Sequence, residues 1–300
     1  MKVQVIRHGA LGDFVLSFGP FAAIRAHHPD ARITLLTTAP FVTLAQAAPW
    51  FDGVIVDAKP AWWDIPGLLR LRAQLAGYDF VYDLQTSGRS GRYFRLAGRP
   101  AWSGIAAGCS HPQADPARET MHTIERQRDQ LQLAGIVDFP GPDLSFLTDR
   151  PSPASDGPFA LLVPGAAPHR PEKRWPARYY GALAGVLRDR GLHPVVIGAA
   201  ADAALGAEIS AICPEAINLI GHTSLLDLFP LAARAALAIG NDTGPMHIAA
   251  AAGCRSVVLF SAASDPALTA PRGPDGAWPI VLRASVLADL TVERVVAALG

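Results

Sequence analysis

The chain has little that would tie it to an oxidising compartment, a bilayer interior, a metal ion or a nucleic-acid backbone. Only three of its 300 residues are cysteine, and Cys109, Cys213 and Cys254 stand too far apart for a zinc-ligand spacing or a disulfide framework. So few thiols suit a reducing compartment. No run of about 18 apolar residues occurs, so no transmembrane helix is expected. The apolar stretch after Met1 is short and alternating, unlike a secretory leader, and a cytoplasmic location is the expectation. Charge is scarce and balanced, with 26 Lys and Arg against 26 Asp and Glu. That leaves no global field for nucleic acid, and no nucleic-acid partner is expected. No Asp-x-Asp pair marks a metal-bound diphosphate, so no metal and no cofactor are expected. Short-period repeats and low-complexity segments are also missing.

Apolar material is what the chain has in quantity. Half of the residues are hydrophobic, enough for large cores, and the length suits about two domains of roughly 150 residues each. Short apolar runs at 3–7, 32–37, 54–57 and 80–84 read as buried strands. Longer amphipathic runs at 13–28, 41–48 and 65–76 separate them and read as helices. The same rhythm resumes after 158, with strands at 159–163, 194–198, 217–220, 236–239 and 256–260. Helices are predicted between these strands at 176–190, 203–212, 225–234 and 245–252, and a last one at 291–299. Between the halves, residues 137–158 hold five prolines, Gly141 and Gly157, a density that continues neither helix nor central strand. The fold class is therefore α/β, as two Rossmann-like domains of parallel sheets, 1–150 and 151–300, facing a cleft.

Three segments sit where a predicted strand hands over to a predicted helix. In the first, Arg7 to Asp13, Gly9 and Gly12 let the backbone turn tightly beside a ligand. Asp13 then either takes a proton from a sugar hydroxyl or merely caps the helix. The glycines do not follow the dinucleotide spacing. In the second, Pro164 to Pro176, Arg170 and Lys173 are placed to neutralise a diphosphate, although loop cations are often only solvated. In the third, Gly240 to His247, the Thr243 hydroxyl and free amides at a helix start make an anion site. There Asp242 caps the helix or binds sugar hydroxyls, and His247 lies one turn inside on the Thr243 face.

Together these motifs resemble glycosyltransferase family 9, the ADP-heptose:lipopolysaccharide heptosyltransferases, over nearly the whole chain. Leu11-Gly12-Asp13 is similar to the family's opening loop, Lys173-Arg174-Trp175-Pro176 to its Lys-x-Trp-Pro loop, and Asp242 to His247 to its Asp-Thr-Gly-x-x-His motif. The resemblance implies a GT-B fold, with the acceptor on the N-terminal domain and the nucleotide sugar on the C-terminal one. It implies an inverting transfer, with Asp13 as base, Lys173, Thr243 and Gly244 on the diphosphate, and Asp242 and His247 near the donor sugar. Asp202, after a predicted strand, would match a ribose contact. A glycolipid or oligosaccharide acceptor and a peripheral contact with the inner membrane would follow. Two loops depart from the family pattern: Ala166-Ala167-Pro168 where hydroxyl residues are usual, and Ser261 to Pro266 where Gly-Pro-Thr is.

Two other readings stay open. A nucleotide-sugar epimerase would share the architecture but needs further acid/base carboxylates. A catalytically inactive nucleotide- or glycan-binding homologue would tolerate the departing loops. Trp62, Trp63 and the leucines at 68, 69, 71 and 75 form either the core side of a helix or a surface for a lipid-linked acceptor. Arg89, Arg92, Arg95 and Arg99 share one helical face, which either is solvated or meets an anionic acceptor.

Overall fold

A computed structural model describes residues 1–153 and 157–300. The chain divides into two compact units, Met1–Pro142 and Asp143–Gly300. The division falls before the expected 150/151 because the helical turn Ser145–Thr148 packs on the helix Leu228–Arg234 of the second unit. Of the proline-rich stretch 137–158, residues 154–156 lie outside the described residues.

The first unit holds β1 Lys2–Ile6, β2 Arg32–Thr37, β3 Gly53–Val56, β4 Phe80–Asp83, β5 Ala101–Gly104 and β6 His111–Pro112. They form one parallel sheet in the order β3-β2-β1-β4-β5-β6. The second unit holds β7 Phe159–Val163, β8 His193–Val196, β9 Ile217–Asn218, β10 Leu237–Asn241, β11 Ser256–Phe260 and β12 Ile280–Arg283. Their order, β12-β11-β10-β7-β8-β9, is again parallel and repeats the first sheet's connectivity. Both are the Rossmann order, so strand order reverses between β1 and β4 and between β7 and β10. Every residue of β7, β10 and β11 is buried, as a sheet covered on both faces demands. The α/β, GT-B fold class expected from the sequence is thus what the chain adopts, as two Rossmann-like units.

Each sheet is covered by apolar side chains of its helices. In the first unit the helix residues Leu71, Leu75, Tyr93 and Phe94 pack with Ile6, Leu36, Val81 and Trp102 of the strands. In the second, Tyr180, Leu183 and Leu187, joined by Trp175 of the preceding loop, pack with Val196, Ile239 and Leu259. Leu71 and Leu75 therefore follow the core-side reading of the helix Ile65–Leu75, whereas Trp63 and Leu69 are exposed.

The single helix expected over 13–28 is two, Leu11–Val15 and Phe18–His27. Pro20 has no amide to give the Leu16 carbonyl, and the Ser17 hydroxyl donates to the Asp13 carbonyl at 2.8 Å instead. β5, β6, β12 and the helix Thr123–Leu133 were not expected. All three thiols are buried, and burial raises each of them, Cys254 to about 12.

Candidate active site

The loop after β1 is built around a buried cation. Arg7 directly follows the strand, and burial lowers its pKa against the opposing pull of Asp13. Its Nη1 donates to the Leu84 carbonyl at 2.6 Å and its Nη2 to the Asp13 carbonyl at 2.9 Å, with Asp13 Oδ1 3.5 Å away. The guanidinium thus ties the end of β4 to the turn that carries the carboxylate. Gly9 in this turn has φ +103°, and an added Cβ would lie 2.2 Å from the Phe41 ring. Only glycine fits there. Asp13 occupies the third position of its short helix, makes no capping bond, and its side chain is 41% exposed. Asp13 is thus not the N-cap, although as the acidic residue of the first turn it complements the helix dipole, and its carboxylate is held from behind and open in front.

Behind the turn lie two further carboxyls. Asp57 is buried, which favours its neutral form. Contacts with His8 Nε2 (3.0 Å), the Tyr93 hydroxyl (2.7 Å) and the Lys59 amide (2.7 Å) outweigh burial and hold it below the usual carboxylate range. Asp83, level with Ile6 in the sheet register, is fully buried and burial pushes it up to about 7. The amide of Thr86 donates to its Oδ1 at 3.1 Å, while its Oδ2 has no partner among the described residues.

The second unit brings its sequence-predicted residues together at the β7/β10 reversal. Lys173 Nζ donates to Asp242 Oδ2 at 2.5 Å, and the Ser264 hydroxyl donates to the same oxygen at 2.7 Å. Lys173 is not a solvated loop cation. Arg170 is exposed and donates to the Ala263 carbonyl at 3.2 Å, in the loop that carries Ser264. Thr243, in extended conformation, precedes Gly244–Ala251, so the amides opening that helix adjoin the Lys173–Asp242 pair. His247 is buried one turn in. Asp202 accepts from the Ala199 amide at 3.1 Å, and its Oδ2 stands 2.5 Å from where a Gly165 Cβ would be. It therefore lines the loop after β7. Gly12 is buried in the Asp13 helix.

Sequence reasoning missed the group that assembles this cluster. Asn241, fully buried at the end of β10, donates to the Pro164 carbonyl at 2.7 Å and accepts from the Trp175 amide at 3.0 Å and the Tyr180 hydroxyl at 3.1 Å. A polar amide closing an apolar strand is the available signal. Arg7, Asp83 and Ser264 were also not singled out. The first two carry the same kind of signal, a charge at the end of a buried run.

A partly open carboxylate at one reversal, and a cation beside a helix start at the other, are the equipment of an enzyme that moves a group from a phosphate-bearing substrate. A profile of glycosyltransferase family 9 (heptosyltransferase) matches residues 68–278. Lipooligosaccharide heptosyltransferase 2 of Haemophilus ducreyi is 32% identical, over 90% of this chain and 86% of its own length. Lipopolysaccharide heptosyltransferase 2 of Escherichia coli K12 is 29% identical over 97% and 89%. The solved structure of E. coli ADP-heptose lps heptosyltransferase II, 26% identical, superposes with a TM-score of 0.77 over 100% of this chain and 97% of that one. The chain belongs to glycosyltransferase family 9 and is a glycosyltransferase.

Two outcomes follow from this geometry. Asn241→Ala strands two or more buried backbone and hydroxyl groups and should lower the unfolding free energy by about 2–4 kcal/mol, read by urea denaturation. Asp83 holds a proton in the folded state over a window, between its ordinary 3.8 and about 7, in which the unfolded chain releases it. Its contribution to stability is therefore lost as pH rises through that window. Asp83→Asn should raise the thermal midpoint relative to the parent protein, by a margin that grows from about pH 5 to about pH 8. A constant margin would remove Asp83 from the titration.

Proposed function

We propose that the protein transfers heptose from ADP-heptose to a lipopolysaccharide-core type glycolipid or a related oligosaccharide, with inversion at the anomeric carbon and without a metal ion or cofactor. The observation that carries this reading is the convergence of Lys173 and Ser264 on Asp242 Oδ2 beside the opening of Gly244–Ala251. Lys173, Arg170 and the Thr243–Gly244 amides hold the diphosphate, Asp242 and His247 meet the heptose, and Asp202 meets the ribose. The second unit then binds the donor and the first unit the acceptor, beside the Gly9–Gly12 turn.

Asp13 accepts the proton of the attacking acceptor hydroxyl. As the hydroxyl oxygen bonds to the anomeric carbon, the bond from that carbon to the diphosphate oxygen breaks and both electrons leave with ADP. Negative charge grows on the leaving group, and preorganised donors aimed at it stabilise the transition state most. Arg7 fixes Asp13 through its carbonyl and lies 3.5 Å from its carboxylate, which orients the base. The names of the full-length relatives support the donor and acceptor classes. Among the described residues no helix is long and apolar enough to cross a membrane. With a lipid-linked acceptor, the protein works at the cytoplasmic face of the inner membrane. The departing loop at 261–266 is engaged in the site, since Ser264 and the Ala263 carbonyl both bind its residues. That favours an active transferase over an inactive homologue.

Asp13→Asn should lower turnover about 10²–10⁴-fold and leave the dissociation constant of ADP nearly unchanged, measured by transfer assay and calorimetry. Normal turnover would remove Asp13 as the base. Lys173→Ala should weaken ADP binding about tenfold or more, the loss of one charge-assisted contact. ADP-heptose incubated without acceptor should stay unconverted, whereas epimerised donor would replace the transferase reading.

A further inference from the structure

One surface of the first unit is explained neither by its core nor by the transfer site. Over the whole chain the charges cancel, yet residues 58–77 and 88–99 together carry seven Lys and Arg and one acid, Asp64. The two helices in these stretches, Ile65–Leu75 and Gly88–Leu96, pack on each other, so their cations share one region. In the middle of that charge stand large apolar side chains in water: Trp63 is 85% exposed, Ile65 61% and Leu69 60%. Ile65 and Leu69 are one helical turn apart and share a side. Leu71 and Leu75 fill the core on the other. The exposed apolar residues are thus additional to what packing requires.

The turn that presents Trp63 is firmly held. Asp64 Oδ1 accepts from the Gly67 amide at 3.0 Å and caps the helix. Arg89 Nη2 donates to the Pro60 carbonyl at 2.6 Å. The guanidinium carbons of Arg89 and Arg92 lie 5.0 and 5.3 Å from the centre of the Trp62 ring, close enough for cation–π attraction. Arginines of one helix therefore fix the approach to the other, and an indole stands proud of it.

We infer that the turn at 61–64 and the exposed side of Ile65–Leu75 dock the protein on an anionic lipid surface. An interfacial helix inserts its apolar face at the boundary of headgroup and acyl chain, where tryptophan is favoured, and surrounding cations meet the negative leaflet. A second copy of the chain fits less well, because a two-fold contact through this patch sets cations against cations. The docking rests on the proposed function only for its purpose, bringing the enzyme to a lipid-linked acceptor.

The test is sedimentation of the full chain with vesicles of phosphatidylcholine alone and of phosphatidylcholine mixed with phosphatidylglycerol. The protein should bind the mixed vesicles, not the neutral ones, and release as salt rises. Trp63→Ser, Ile65→Ser and Leu69→Ser combined should weaken binding about tenfold or more, and so should Arg92→Glu with Arg95→Glu. Brominated acyl chains should quench tryptophan emission of the unaltered protein, a readout that needs no variant. Equal binding to both vesicles, no binding, or no loss in either folded variant would overturn the docking. Self-association that the apolar variant abolishes, without vesicle binding, would overturn it in favour of a second copy. Transfer to a delipidated acceptor separates the two readings. Transfer without vesicle binding overturns the docking alone, and vesicle binding without transfer supports the docking while overturning the proposed activity.

Discussion

A parallel sheet buried on both faces leaves a polar side chain at a strand end with few places to put its donors and acceptors. Asn241 meets that constraint by spanning the β7/β10 reversal, with its amide nitrogen on the Pro164 carbonyl and its oxygen on the Trp175 amide and the Tyr180 hydroxyl. Those bonds fix both ends of the loop 164–175 against the end of β10. Lys173 lies inside that loop and Asp242 is the residue after Asn241, so the distance between cation and carboxylate is inherited from the amide between them. The Lys173–Asp242 pair is in this sense set by a side chain that is itself fully buried.

The first unit solves the same topological problem with charge. At its own reversal Arg7 crosses from the end of β1 to the Leu84 carbonyl beyond β4 and also holds the Asp13 carbonyl. Burying an arginine is costly in desolvation and lowers its pKa, and Asp83 beside it is raised by its own burial, which the charge of Arg7 only partly offsets. Such costs are tolerated mostly where a site must be rigid. Two sheets of equal connectivity thus hold different groups at equivalent positions: a half-exposed carboxylate at one, a lysine–aspartate pair beside a helix start at the other.

The sequence made the alternation of elements legible because strands covered on both faces are continuous apolar runs, and all nine expected strands match described ones with their ends within two residues. β5, β6 and β12 escaped notice because they are short and hold Ser103, His111, Pro112 or Arg283. The helix Thr123–Leu133 is mostly polar and offers little apolar periodicity. In the site, the three motif segments were visible from glycines and from charge after strands. Their assembly was not. Lys173 and Asp242 are 69 residues apart, and only strand order shows that the two loops are neighbours. Ser264 sits in a segment that departs from the family pattern, which drew attention to a loss where the fold had placed a contact. Asp202 was read as a ribose contact from its place after a strand, and its carboxylate packs beside Gly165 and Gly198 and accepts from the Ala199 amide, contacts that the sequence did not show.

The three thiols, sparse in sequence and buried in the fold, have a practical consequence. With all three cysteine thiols buried and raised by that burial, the thiolate that maleimides and iodoacetamide attack is scarce at neutral pH. A cysteine introduced on the surface would be the reactive one in the chain, so fluorophores or spin probes can be placed singly without first engineering a cysteine-free background.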